Sequence, residues 1–97
     1  PRRRIDICLF YKECLTNILK HSGATEVTTR LKADKKEIIL EVTDNGFGMD
    51  GDSGEHIPPS LKRRARIIGA QIQTKHQDPQ GLKVTLMLKY RRWRFLT

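Results

Sequence analysis

The most constraining stretch of this chain is the run Glu37-Ile38-Ile39-Leu40-Glu41-Val42-Thr43 with its sequel Asp44-Asn45-Gly46-Phe47-Gly48-Met49. Ile38, Leu40 and Val42 recur at every second position, the pattern of a strand with one buried face. An acid at the end of that strand can accept a hydrogen bond from the exocyclic amine of a purine. The glycines that follow let backbone approach a ligand closely or turn with positive φ. The same letters also fit a plain Asp-Asn-Gly hairpin turn, but no second strand follows at once.

Upstream, residues 3–22 carry apolar side chains at Ile5, Cys8, Leu9, Leu15, Ile18 and Leu19, which predicts a helix with that stripe toward a core. Ser22-Gly23 would end it, with Lys20 and His21 in the last turn, where cations offset the helix dipole. Glu13, Asn17 and His21 stand four residues apart, so each advances only about 40° around the axis from the one before. They form a polar stripe beside the apolar one, at the mouth of a cleft. An amide oxygen such as that of Asn17 suits Mg²⁺, which takes few protein ligands and completes its shell from water and phosphate. Glu13 can orient a metal-bound water, and Lys20 and His21 can meet phosphate charge. Without the glycine motif, such a stripe reads as an ordinary solvated helix face.

Val27, Thr29 and Leu31 alternate with Thr28, Arg30 and Lys32, which predicts a half-buried strand, and residues 33–36 make a turn. Residues 44–60 show no periodicity and form a long loop of the kind that is usually functional. Pro58-Pro59-Ser60 opens a second helix with Leu61, Ala65, Ile67 and Ile68 inward and Gly69 near its end. A short strand around Ile72 and Thr74, a turn at 78–81 and a last strand with Leu82, Val84, Leu86, Leu88 and Tyr90 on one face complete the chain. The order helix, strand, strand, loop, helix, strand, strand predicts an α/β two-layer sandwich. Its sheet is mixed and mostly antiparallel, covered on one face by helices.

At 97 residues, 37% hydrophobic and 31% charged, the chain has enough apolar side chains for one core and one domain. The net charge of +8 raises a nucleic-acid reading, but ten of the nineteen basic residues fall in clusters at 2–4, 62–66 and 91–94. Only six aromatics are present, three of them in the last eight residues, so the basic surface lacks the stacking platform of a nucleic-acid module. No nucleic-acid partner is expected. The Lys62, Arg63, Arg64 and Arg66 cluster reads as a solvated helix face, or as a contact to phosphate or to an acidic partner. Cys8 and Cys14 are separated by about 240° on a helix, which disfavours a bridge and suits a reducing compartment. Residues 44–55 superficially resemble a calcium loop, but Met49 stands where that loop requires glycine. No apolar run approaches a membrane span and no signal-peptide pattern is present. The abrupt ends predict a fragment of a longer protein.

Glu13-Cys14-Leu15-Thr16-Asn17-Ile18-Leu19-Lys20-His21-Ser22 resembles the asparagine box of sensor histidine kinases, most closely the nitrate-sensor-like subgroup. Asp44 to Met49 resembles that family's first glycine box. Residues 60–65 with Ile68-Gly69-Ala70 resemble the helix after its nucleotide lid, and Gly81 with Val84 the strand that closes the pocket. The resemblance implies the ATP-binding domain of a superfamily that also holds type II topoisomerases, a chaperone class and mismatch-repair ATPases. It implies ATP and Mg as cofactors, with Asn17 on the metal and Glu13 as the catalytic group assisting at metal or water. Lys20 and His21 would approach phosphates, Asp44 would read adenine, and Gly46 and Gly48 would shape the pocket. The phosphoacceptor histidine would lie on a separate dimerisation domain, and a response regulator would take the phosphate. The whole protein would be a homodimer, cytoplasmic or the cytoplasmic part of a membrane-anchored sensor.

The second glycine box departs from the family pattern. Aligned back from Leu61, its glycines are Glu55 and Ile57; with one extra residue, Gly54 survives and His56 displaces the second. Leu82 stands where the family usually places threonine. A degenerate non-catalytic scaffold and a protein-serine kinase of the anti-sigma-factor type are the competing readings.

Overall fold

Two central strands with strict alternation build the sheet on which everything else is laid. The computed structural model describes residues 2–47 and 57–89. Its elements are α1 (Arg2–His21), β1 (Val27–Ala33), β2 (Glu37–Asp44), α2 (Pro59–Ile68), β3 (Gln71–His76) and β4 (Leu82–Lys89). The strands lie in the order β1-β2-β4-β3, and every described pairing is antiparallel. Both helices cover the same face, as the alternation of β2 and β4 requires.

The core forms where Leu40 and Val42 of β2 and Val84 and Leu86 of β4 meet Phe10 and Cys14 of α1 and Leu61 and Ala65 of α2. Leu40 is opposite Leu86 and Val42 opposite Val84, so the apolar faces of the central strands are in register. Local chemistry sets the ends. Asp34 Oδ1 accepts from the backbone N–H of Lys36 (2.7 Å) and of Glu37 (2.9 Å) at the β1–β2 turn. These two bonds hold its carboxyl below the usual carboxylate range. Gly69, at φ 82°, terminates α2 by donating to the carbonyls of Ala65 (3.0 Å) and Arg66 (3.1 Å).

Three sequence expectations fail here. In α1, Ile5, Leu9 and Leu19 are 60, 40 and 85% exposed, and Cys8 is exposed as well. The buried side is the row Phe10, Cys14 and Ile18, flanked by Ile7 and Tyr11. The helix carries apolar residues on two sides, about 180° apart, and the side with the large ring faces the sheet. β1 is exposed along its whole length rather than half-buried. It is an edge strand beyond the cover of the helices, reached from above by the Tyr11 hydroxyl, 2.9 Å from Thr29 Oγ1. Ile67, expected inward, is 69% exposed because Leu61 and Ala65 already fill the seam beneath α2.

No described helix is long and apolar enough to cross a membrane. Tyr90, the basic cluster at 91–94 and most of the loop after the first glycine box lie outside the described residues.

Leu86 is fully buried and Leu19 almost fully exposed. Leu86→Ala should lower unfolding free energy by about 2–5 kcal/mol, whereas Leu19→Ala should change it by no more than about 0.5 kcal/mol. Urea unfolding of both variants measures the contrast, and equal effects would contradict the packing of α1.

Candidate nucleotide-binding site

Asp44 is the last residue of β2 and is 6% exposed. Its Oδ1 accepts from the Gly46 backbone N–H at 2.8 Å. That bond fixes the orientation of the carboxylate, and among the described residues Oδ2 takes no hydrogen bond. The acid lines a cavity whose apolar walls are Ile18 of α1, Val42 of β2, Leu61 of α2 and Leu82 and Val84 of β4. The cavity is narrow, about 30 Å³, room for a water or two. A purine would enter only as the walls part.

Asn17 lines the same cavity. Its Nδ2 donates to the Glu13 carbonyl and to Ser60 Oγ, each at 3.1 Å. A carbonyl can only accept, so the nitrogen must face it, and Oδ1 is the acceptor that remains. One neutral oxygen held in this way matches the sparse oxygen coordination of Mg²⁺. Among the described residues no group of three or more His, Cys, Asp or Glu side chains is placed to hold a metal.

The other expected residues are distributed around this centre. Glu13 is half-buried in a groove between the helices, with Ser60, Arg63, Arg64 and Ile67. Lys20 and His21 are exposed in the last turn of α1. Gly46 is buried against the end of α1: a Cβ there would lie 2.6 Å from both Cβ and Oγ of Ser22. The Phe47 N–H donates to the Ser22 carbonyl at 2.7 Å, and Ser22 Oγ donates to the Ile18 carbonyl at 3.0 Å. Gly81, at φ 124°, closes the opposite side, where a Cβ would run into the Asp44 carbonyl. Gly48 and Gly54 lie outside the described residues.

Sequence reading missed four residues. Ser60 binds Asn17 from the first turn of α2. Ser22 receives the glycine loop. Cys14 lines the cavity, and burial, with the charge of Glu13 adding to it, pushes its thiol up to about 12. Asn45 clasps the loop after α1 through Thr25 and Glu26. The one visible signal was the Asp-Asn-Gly sequence, since asparagine caps neighbouring backbone in such turns.

The site is thus a narrow apolar pocket between two helices and an antiparallel sheet, with a buried acid and a fixed amide on its wall. Residues 3–92 match the family described as histidine kinase-, DNA gyrase B-, and HSP90-like ATPase. The chain belongs to that family. It is similar to the sensor histidine kinase NarS of Mycobacterium tuberculosis, 32% identical over 99 residues that cover 94% of this chain and 23% of the relative. Sensor histidine kinase YxjM of Bacillus subtilis is 29% identical over 86 residues, covering 79% and 19%. ComP of the same organism, also a sensor histidine kinase, is 24% identical over 91 residues, covering 89% and 12%. The chain thus spans less than a quarter of these relatives. The matches bear out the resemblance carried by the asparagine and first glycine boxes, and support the nitrate-sensor-like subgroup only loosely.

Two outcomes test this geometry. Gly46→Ala should lower the melting temperature clearly, because α1 and the strand end cannot both keep their places. Iodoacetamide at neutral pH should label Cys8 in the native chain and reach Cys14 only in urea. The thiol of Cys14 is protonated when folded, so its contribution to stability is present below pH 9 and is lost as pH rises from 9.0 toward about 12.

Proposed function

We propose that this chain is the ATP-binding catalytic domain of a two-component sensor histidine kinase. It positions Mg-ATP for phosphoryl transfer to a histidine on a separate dimerisation domain of the same protein. The observation that carries the reading is the meeting of a buried, oriented Asp44 with Asn17 on one apolar cavity. Family membership and the names of the relatives support it.

Asp44 Oδ2 accepts from the adenine amine, while the carbonyl that guanine presents there would be repelled. Apolar walls at Ile18, Val42, Leu82 and Val84 take the ring faces. Asn17 Oδ1 would hold the magnesium ion, which when bound neutralises charge across the phosphates. Glu13 orients water or hydroxyl near that amide. Lys20 and His21, on the exposed end of α1, meet phosphate charge, and Gly46 lets the loop after Asp44 pack on Ser22 beside the site; Gly48 and Gly54 belong to the same reading from sequence alone. Catalysis is then positioning and electrostatics. In the whole protein, a cytoplasmic homodimer or the cytoplasmic part of a membrane sensor, the phosphate passes on to a response regulator.

A second reading has one observation in its favour. The stretch Ser53-Gly54-Glu55-His56-Ile57-Pro58-Pro59 lacks at least one glycine of the second box, which weakens a backbone cradle for phosphate. On that reading the fold survives as a scaffold without transfer activity.

Calorimetric titration with ATP and GTP, with and without Mg²⁺, decides between them. ATP should bind with magnesium and GTP should not. Asp44→Asn should weaken ATP roughly ten- to hundredfold, the worth of one charge-assisted hydrogen bond. Silence at millimolar ATP would favour the scaffold.

A further inference from the structure

The strand ladder of β2 ends at Asp44, yet the segment after it is tightly held. Asn45 does most of the holding. Its Oδ1 accepts from the backbone N–H of Thr25 (2.9 Å) and of Glu26 (3.0 Å), and its Nδ2 donates to Thr25 Oγ1 at 2.9 Å. Its backbone N–H donates to the Glu26 carbonyl at 3.3 Å. Its own carbonyl accepts from Gln80 Nε2 at 2.9 Å, across the β3–β4 turn. Neither Thr25, Glu26 nor Gln80 lines the cavity.

We infer that Asn45 is a positioning residue that locks the Asp44 carboxylate for base recognition; this rests on the reading of Asp44 as the adenine acceptor. The Asp44 Oδ1–Gly46 N–H bond closes a ring that passes through the backbone of Asn45. If Asn45 swings, the Gly46 N–H leaves Oδ1 and the carboxylate turns about its side-chain torsions. A locked carboxylate presents one acceptor in one direction, so it distinguishes an amine from a carbonyl. A rotating one can move away from guanine's carbonyl and loses that distinction. The effect therefore appears in base preference, which a purely structural staple would leave alone.

The test uses the chain with Asn45→Ala, Asn45→Asp, Gln80→Ala and Asp44→Ala, each titrated with ATP and GTP and melted in parallel. Asn45→Ala should narrow the ATP-over-GTP preference by about tenfold, the worth of one or two hydrogen bonds. Asn45→Asp keeps an oxygen for both N–H groups and should restore most of the preference. Its added charge weakens both triphosphates alike and cancels in the ratio. Gln80→Ala, at an exposed position, should narrow the preference by less, with little change in melting. It decides the matter together with Asn45→Asp if Asn45→Ala does not fold. An unchanged preference in Asn45→Ala and Gln80→Ala, beside a lost one in Asp44→Ala, would overturn the inference and leave the adenine reading intact. A preference that survives Asp44→Ala would remove the adenine reading and this inference with it.

Discussion

The antiparallel pairing of β2 with β4 through the middle of the sheet carries the rest of the molecule. Side chains alternate along a strand, so the parity that buries Leu40 and Val42 also buries Asp44 two residues on. The cost of taking an acid out of water is met locally by a backbone N–H from Gly46. A slip of one residue would turn Thr43 inward and leave the acid on the open face. The apolar core therefore does more than hold the chain together: it sets the register that delivers a carboxylate to the pocket.

The helices complete what the strands begin. α1 contributes Phe10 and Cys14 to the core and, one and two turns further, Ile18 and Ser22 to the pocket and its loop. Asn17 lies between these uses. Its amide ties α1 to the first turn of α2 through Ser60.

Much of this was legible in the sequence. The order of elements and the inner faces of β2 and β4 follow from period-two alternation and helical spacing, whereas a shared site for Asp44 and Asn17 was expected only from the family resemblance. Which side of α1 faces inward did not follow, because apolar residues occur on opposite sides and periodicity cannot rank them. The ring of Phe10 against the sheet decides it. The alternation of β1 promised burial that an edge strand outside the helical cover does not receive. Asn45 was legible only as the asparagine of an Asp-Asn-Gly turn; its partners, Thr25, Glu26 and Gln80, come from two loops that only the folded topology brings together.

Gly46 and Gly81 press on the strand end from opposite sides, one against Ser22 and the other against the Asp44 carbonyl. The strand end that carries Asp44 is thus clamped on both sides, with no room for a side chain at either glycine. A single added methyl at either glycine would therefore displace the whole strand end, Asp44 with it, where a change in an exposed side chain moves only itself.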